Sequence, residues 1–93
     1  MNALKARYPW YSYVHSIMWN KTKRRTKKEL EAVEKALSAA DPETRALVDM
    51  VFITRSKNIR EAARAAFVSY ETAKKRLQKF RIDVARNLGL LEE

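Results

Sequence analysis

Apolar residues recur three and four positions apart in several stretches of the chain, each bounded by residues that start or stop helices. That pattern predicts an all-α fold, a small helical domain of about five helices. The first stretch carries Trp10, Val14, Ile17 and Met18 on one helical face, with Pro9 at or just before the first turn, where its missing N–H is harmless. In the second, Thr26 and Glu29 have the spacing of a capping box. Leu30, Val33, Leu37 and Ala40 form its narrow apolar stripe, with Glu31, Glu34 and Lys35 on the wet side. Asp41-Pro42-Glu43 then ends one helix and opens the next, because proline disfavours helix in the residue before it and suits the first helical position. Leu47, Val48, Val51 and Phe52 give this third helix its inward face, and Arg45 and Asp49 are spaced for an i, i+4 ion pair.

Asn58 to Arg81 is the most strongly patterned segment. Asn58 and Glu61 form a second capping box, and Ile59, Ala62, Ala63, Ala66 and Phe67 share one face of the helix that follows. A new helix restarts at once, with Ser69 as N-cap and Glu71 in its first turn, where the helix dipole favours an acid. Ala73, Leu77, Phe80, Val84 and Leu88 form its buried stripe, and Glu71, Thr72, Lys75, Lys79 and Arg86 fall on the opposite side. Gly89 stands where a helix closes in a left-handed residue, so Leu90 and Leu91 are expected to fold back on the last turn. Residues 1–40 thus read as an aromatic and basic helical segment packing on the rest, and residues 41–93 as a helix-turn-helix region of the same compact domain.

Composition narrows the chemistry. Ninety-three residues carry a formal net charge of +9 with one histidine, one glycine and no cysteine. The charge suits a polyanion, with nucleic acid ahead of an anionic membrane surface. Six of the eight residues from Lys21 to Lys28 are positive, a run that serves as a solvated connector or a phosphate-contacting loop. No Gly-rich phosphate loop, metal-ligand cluster or nucleophile–base set is present, so neither catalytic residues nor a metal or cofactor is expected. His15 reads as an ordinary structural or surface histidine. The rings between Tyr8 and Trp19 read as core packing or as a surface for a protein partner. No apolar run approaches the ~20 residues that span a bilayer, and no signal peptide or disulfide is indicated, so the expected compartment is the cytoplasm.

From Asp41 to Leu90 the chain resembles the C-terminal, promoter-reading domain of bacterial sigma factors. The matching elements are Arg45-Ala46-Leu47 early in a leading helix, Glu61-Ala62-Ala63 in the next, and Val68 to Leu77, VSYETAKKRL, in the reading helix. The small size, the Tyr8-Pro9 pair and the charged helix before this region also look like small phage late-gene transcription regulators of the RinA/ArpU type. The resemblance implies a phage-derived, sequence-specific DNA-binding transcriptional regulator. It places Tyr70, Glu71 and Lys75 at base edges, where a carboxylate accepts from cytosine N4 and a lysine donates to guanine. Thr72 and Lys74 would touch the backbone, joined on charge by Arg60, Arg64, Lys79, Lys23, Arg24 and Arg25. Tyr70 itself falls close to the buried stripe, so its outward pointing depends on its place in the first turn.

The chain departs from the sigma pattern at Phe67, where a glycine usually makes the turn. Phenylalanine lacks glycine's freedom at positive φ, so the turn is expected to rearrange, with a longer preceding helix and Phe67 filling the space beside Ala62, Ala63, Ala65 and Ala66. The partner expected on this reading is double-stranded DNA, with RNA polymerase and a second copy of the chain as further candidates and no membrane. Two other readings fit the same residues: a polymerase- or sigma-interacting protein without base readout, and a small terminase DNA-binding subunit, which would form a ring.

Overall fold

The computed structural model describes residues 8–19 and 26–91. Five helices are present among them: α1, Tyr11–Trp19; α2, Lys27–Ala39; α3, Pro42–Val48, which widens into a π turn over Asp49–Ile53; α4, Ile59–Ala65; and α5, Tyr70–Asn87. The all-α class is as the periodicity predicts. No helix among the described residues is long and apolar enough to cross a membrane. Lys23, Arg24 and Arg25 lie outside the described residues.

α5 is the axis of the fold, and each of the other four helices packs against it. Its stripe of Ala73, Leu77, Phe80, Val84 and Leu88 is buried as the spacing requires, and Leu77 and Val84 have no exposed surface at all. Burial of side chains this size contributes roughly 1.5 to 3 kcal/mol each, so this one helix anchors the core. Leu47, Val48, Val51 and Phe52 enter it from α3 and the π turn, and Val14, Ile17 and Met18 from α1. At seven residues α4 is too short to be stable alone. Its capping box, Asn58 to Glu61 at 2.9 and 3.1 Å, and the burial of Ala62 and Ala63 hold it in place.

α2 turns a different face inward from the one its large residues suggest. Leu30 is 42% exposed, while Glu29, Ala32, Val33 and Ala36 are buried and Leu37 is only partly so. Two alanines let α2 come close to α5, and Asn87 Nδ2 seals the contact by donating to the Ala32 carbonyl at 3.0 Å. Glu29 is drawn in because it is already engaged. It accepts from the Thr26 backbone at 3.1 Å in the capping box and from the Tyr13 hydroxyl at 2.6 Å. That bond to a carboxylate, with burial second, pushes the Tyr13 phenol up to about 12. Arg45 also departs from expectation: it reaches back to the Ala40 carbonyl at 3.1 Å.

Candidate functional site

The turn between α4 and α5 keeps the tight geometry that glycine usually serves. α4 stops at Ala65, Phe67 N–H donates to the Arg64 carbonyl at 3.2 Å and Val68 N–H to the Ala63 carbonyl at 3.0 Å. These are the two bonds of a Schellman motif, with Phe67 at its left-handed position. Its φ is +59° and its ring is 95% exposed. The expected longer helix and inward Phe67 are therefore both overturned: the small Ala62 and Ala63 pack directly, leaving no gap for the ring. The end of α5 uses the same motif. There Gly89, φ +75°, donates to Arg86 and Leu90 to Ala85, each at 3.0 Å.

Ser69 caps α5, accepting from Thr72 N–H at 3.0 Å and donating to the Thr72 hydroxyl at 2.9 Å. Thr72 is thus held in the cap. One residue on from the cap, Tyr70 is half-buried, its ring covered by the Arg60 guanidinium at 4.1 Å and approached by Lys74 Nζ at 5.0 Å. It does not share the outer face of α5 with Glu71 and Lys75; it gathers two cations, one from each helix, beside a small cleft that also includes Arg64. The stripe explains this, since Tyr70 lies near its edge and α4 covers that edge.

Glu71, Lys74, Lys75 and Lys79 are exposed along α5, with Gln78 and Ile82 completing a shallow open trough. Glu71 lies 4.0 Å from Lys74. Lys79 pairs with Asp83 at 3.1 Å, and Arg86 shares that carboxylate at 3.3 Å. Such exposed pairs are worth a few tenths of a kcal/mol and open easily. Arg76 fixes the helix from its other flank. Its guanidinium spans Asp41 and Glu43, both at 3.0 Å, and so ties α5 to the start of α3. Asp41 is the N-cap of α3, and the Thr44 backbone N–H it accepts holds its carboxyl below the ordinary range against the opposing effect of burial, with further help from the Thr44 hydroxyl and Arg76.

A second constellation lies between α1, the π turn, the start of α4 and the middle of α5. Tyr11, His15 and Trp19, spaced one turn apart on α1, stack at 6.2 and 5.9 Å between centroids. Phe52 meets His15 and Trp19 edge-on at 5.6 and 6.0 Å. Arg81 places its guanidinium 5.1 Å from the Tyr11 centroid and 5.2 Å from that of Phe52. Beside them opens a cavity of about 580 Å³ whose rim includes Arg55, Lys57 and Glu61. His15 is half-buried, and burial first, then the charge of Arg81, lowers its pKa. Arg81 was findable from the sequence: it lies four residues after Leu77 and three before Val84, inside the stripe.

No protein-family model, curated protein or solved structure matches this chain.

Proposed function

We propose that the chain is a DNA-binding transcriptional regulator that lays the outer face of α5 in the major groove. The observation that carries this reading is the trough on α5, where the exposed Glu71 and Lys75 offer an acceptor and a donor one helical turn apart. Flanking lysines and the Arg60–Tyr70–Lys74 cluster supply positive charge, and the net charge of +9 supplies a long-range field. Arg76 and the Schellman turn hold α5 at a fixed angle to its neighbours, which a reading helix requires.

Selection of bound duplexes from a random pool at two salt concentrations tests it. A motif that persists at the higher salt marks base readout, because counterion release fades with salt. On the selected site Lys75→Ala should cost about 1 to 3 kcal/mol with little change in non-specific binding, whereas Lys79→Ala should weaken both and lower the salt slope by about one. Equal losses on every sequence for both variants would overturn base reading. Asp83→Asn should strengthen non-specific binding, since it releases Lys79 for phosphates.

A second reading, a polymerase-binding protein that does not read bases, is favoured by one observation: an almost fully exposed Phe67 ring beside α5. A complex with polymerase that survives salt sufficient to abolish DNA binding, and is lost in Phe67→Ala, would select it.

A further inference from the structure

Arg81 is a cation at the centre of the fold with no anion beside it among the described residues. It is 7% exposed and its Nε has no hydrogen-bond partner. Among the described residues no carboxylate stands within ion-pair distance of it. Its contacts are the faces of Tyr11 and Phe52. A buried charge is costly unless paired, and a methionine would fill the same space without that cost. The two ring faces offset part of that cost, but neither carries a charge to balance the guanidinium. What the guanidinium does border is the cavity of about 580 Å³, a volume within the usual range for small-molecule sites.

The cavity walls say what shape of ligand fits. Trp19 and Phe52 meet at 88°, making a corner of two ring surfaces, and Trp19 is 40% exposed. His15 lies behind them with a buried Nδ1 that has no partner. Arg55 stands 4.9 Å over the Trp19 ring, held at the rim by a left-handed backbone of φ +53°. It follows the π turn, a distortion that recurs at functional sites. Glu61, the acid at the rim, is committed to the α4 capping box. The cavity is therefore flat-walled, aromatic and net positive.

We propose that this cavity binds a planar aromatic ring carrying a carboxylate, the ring seated in the Trp19–Phe52 corner and the acid on Arg81. A single buried guanidinium matches a single negative charge, and its planar fork suits a carboxylate. The site stands apart from the trough on α5 and does not depend on DNA binding.

Titration of the full chain with naphthylacetate, naphthylacetamide and acetate, followed by NMR at the Trp19 indole N–H and the His15 ring, tests it. The acid should saturate and bind at least about tenfold more tightly than the neutral amide, the worth of one charge-assisted hydrogen bond, while acetate alone should not shift these signals. In Arg81→Met the acid and amide should bind alike; Arg81→Lys, which keeps the charge, should retain a preference for the acid. Equal affinities for acid and amide in the unaltered protein would overturn the proposal, as would shifts mapping to the trough on α5, or no binding up to the solubility limit. A tripeptide ending in a free tryptophan carboxylate separates the sources of this chemistry. Tighter binding than naphthylacetate assigns the site to the end of a partner chain, and weaker binding assigns it to a free small molecule; either outcome supports the site.

Discussion

Phe67→Gly should make the protein more stable. Phe67 holds φ +59° at the left-handed position of a Schellman turn, a conformation that costs a residue with a Cβ roughly 1 to 2 kcal/mol. Glycine removes that strain but returns about 0.4 to 1 kcal/mol through the greater freedom of the unfolded chain. The ring is 95% exposed, so its loss removes almost no buried area. The net is a gain of roughly 0.5 to 1 kcal/mol, which for a domain of this size raises Tm by about 2 to 8 °C. Urea titration should show a higher midpoint with an unchanged m-value, the signature of a stability change without altered compactness. Gly89 supplies the reciprocal test, because it occupies the same motif at φ +75° and a Cβ there would meet nothing within 4 Å. Gly89→Ala should therefore cost about 1 kcal/mol through backbone strain alone. Phe67→Ala, which drops the ring and keeps the strain, should stay within about 0.5 kcal/mol of the parent. If Phe67→Gly is no more stable than the parent while Gly89→Ala is destabilised as expected, the strain at Phe67 is not there and the argument fails.

Three further outcomes follow from the core and its titrating groups. Leu77→Ala, at a fully buried position on the central helix, should lose about 2 to 5 kcal/mol by chemical denaturation, a large share of the roughly 5 to 14 kcal/mol expected for 93 residues. His15, whose folded pKa is lowered by burial and then by Arg81, keeps its neutral form in the fold. Its contribution is complete above the unfolded value near 6.5 and is lost as pH falls below it, so His15→Gln should flatten the decline of Tm on the acid side of that point. Tyr13 is the opposite case: its phenol is raised from 10.0 to about 12 by the bond to Glu29, so stability should fall as pH rises between those values, and Tyr13→Phe should remove that dependence. An unchanged alkaline limb in Tyr13→Phe would show that the bond to Glu29 does not form.

Where the fold was legible, the signal was either long or local. The stripe of α5 repeats over four turns, enough for periodicity to outweigh any single residue, and the capping boxes at Thr26 and Asn58 need only four consecutive residues. The inward face of α2 is not legible from its large residues. Leu30 points to solvent while Ala32 and Ala36 set how closely two helices approach, and an alanine carries little hydrophobic signal of its own. In the trough, Glu71, Lys75 and Lys79 stand where helical geometry puts them; Tyr70 does not join them, because its position beside the buried stripe turns it toward α4, as helical geometry and not the resemblance indicates.

Phe67 and Arg81 are both visible in the sequence as anomalies, and they share a physical reason for being hard to place. Each breaks a local rule on which reading depends: large aromatic rings are expected inside and not at positive φ, and arginine is expected outside. In each case folding gains little on balance: glycine would make the same turn, and the ring contacts of Arg81 offset only part of the cost that a methionine would avoid. Local rules are broken without full compensation mainly where something other than stability is being selected. The two residues differ in what surrounds them. Phe67 faces open solvent, so its surroundings give no hint of a partner's shape. Arg81 faces an open, ring-lined cleft and is only 7% exposed, so a ligand that brings a carboxylate there meets a guanidinium that has already lost most of its water on folding. That preorganisation is why the buried cation, and not the exposed ring, supports a statement about ligand chemistry.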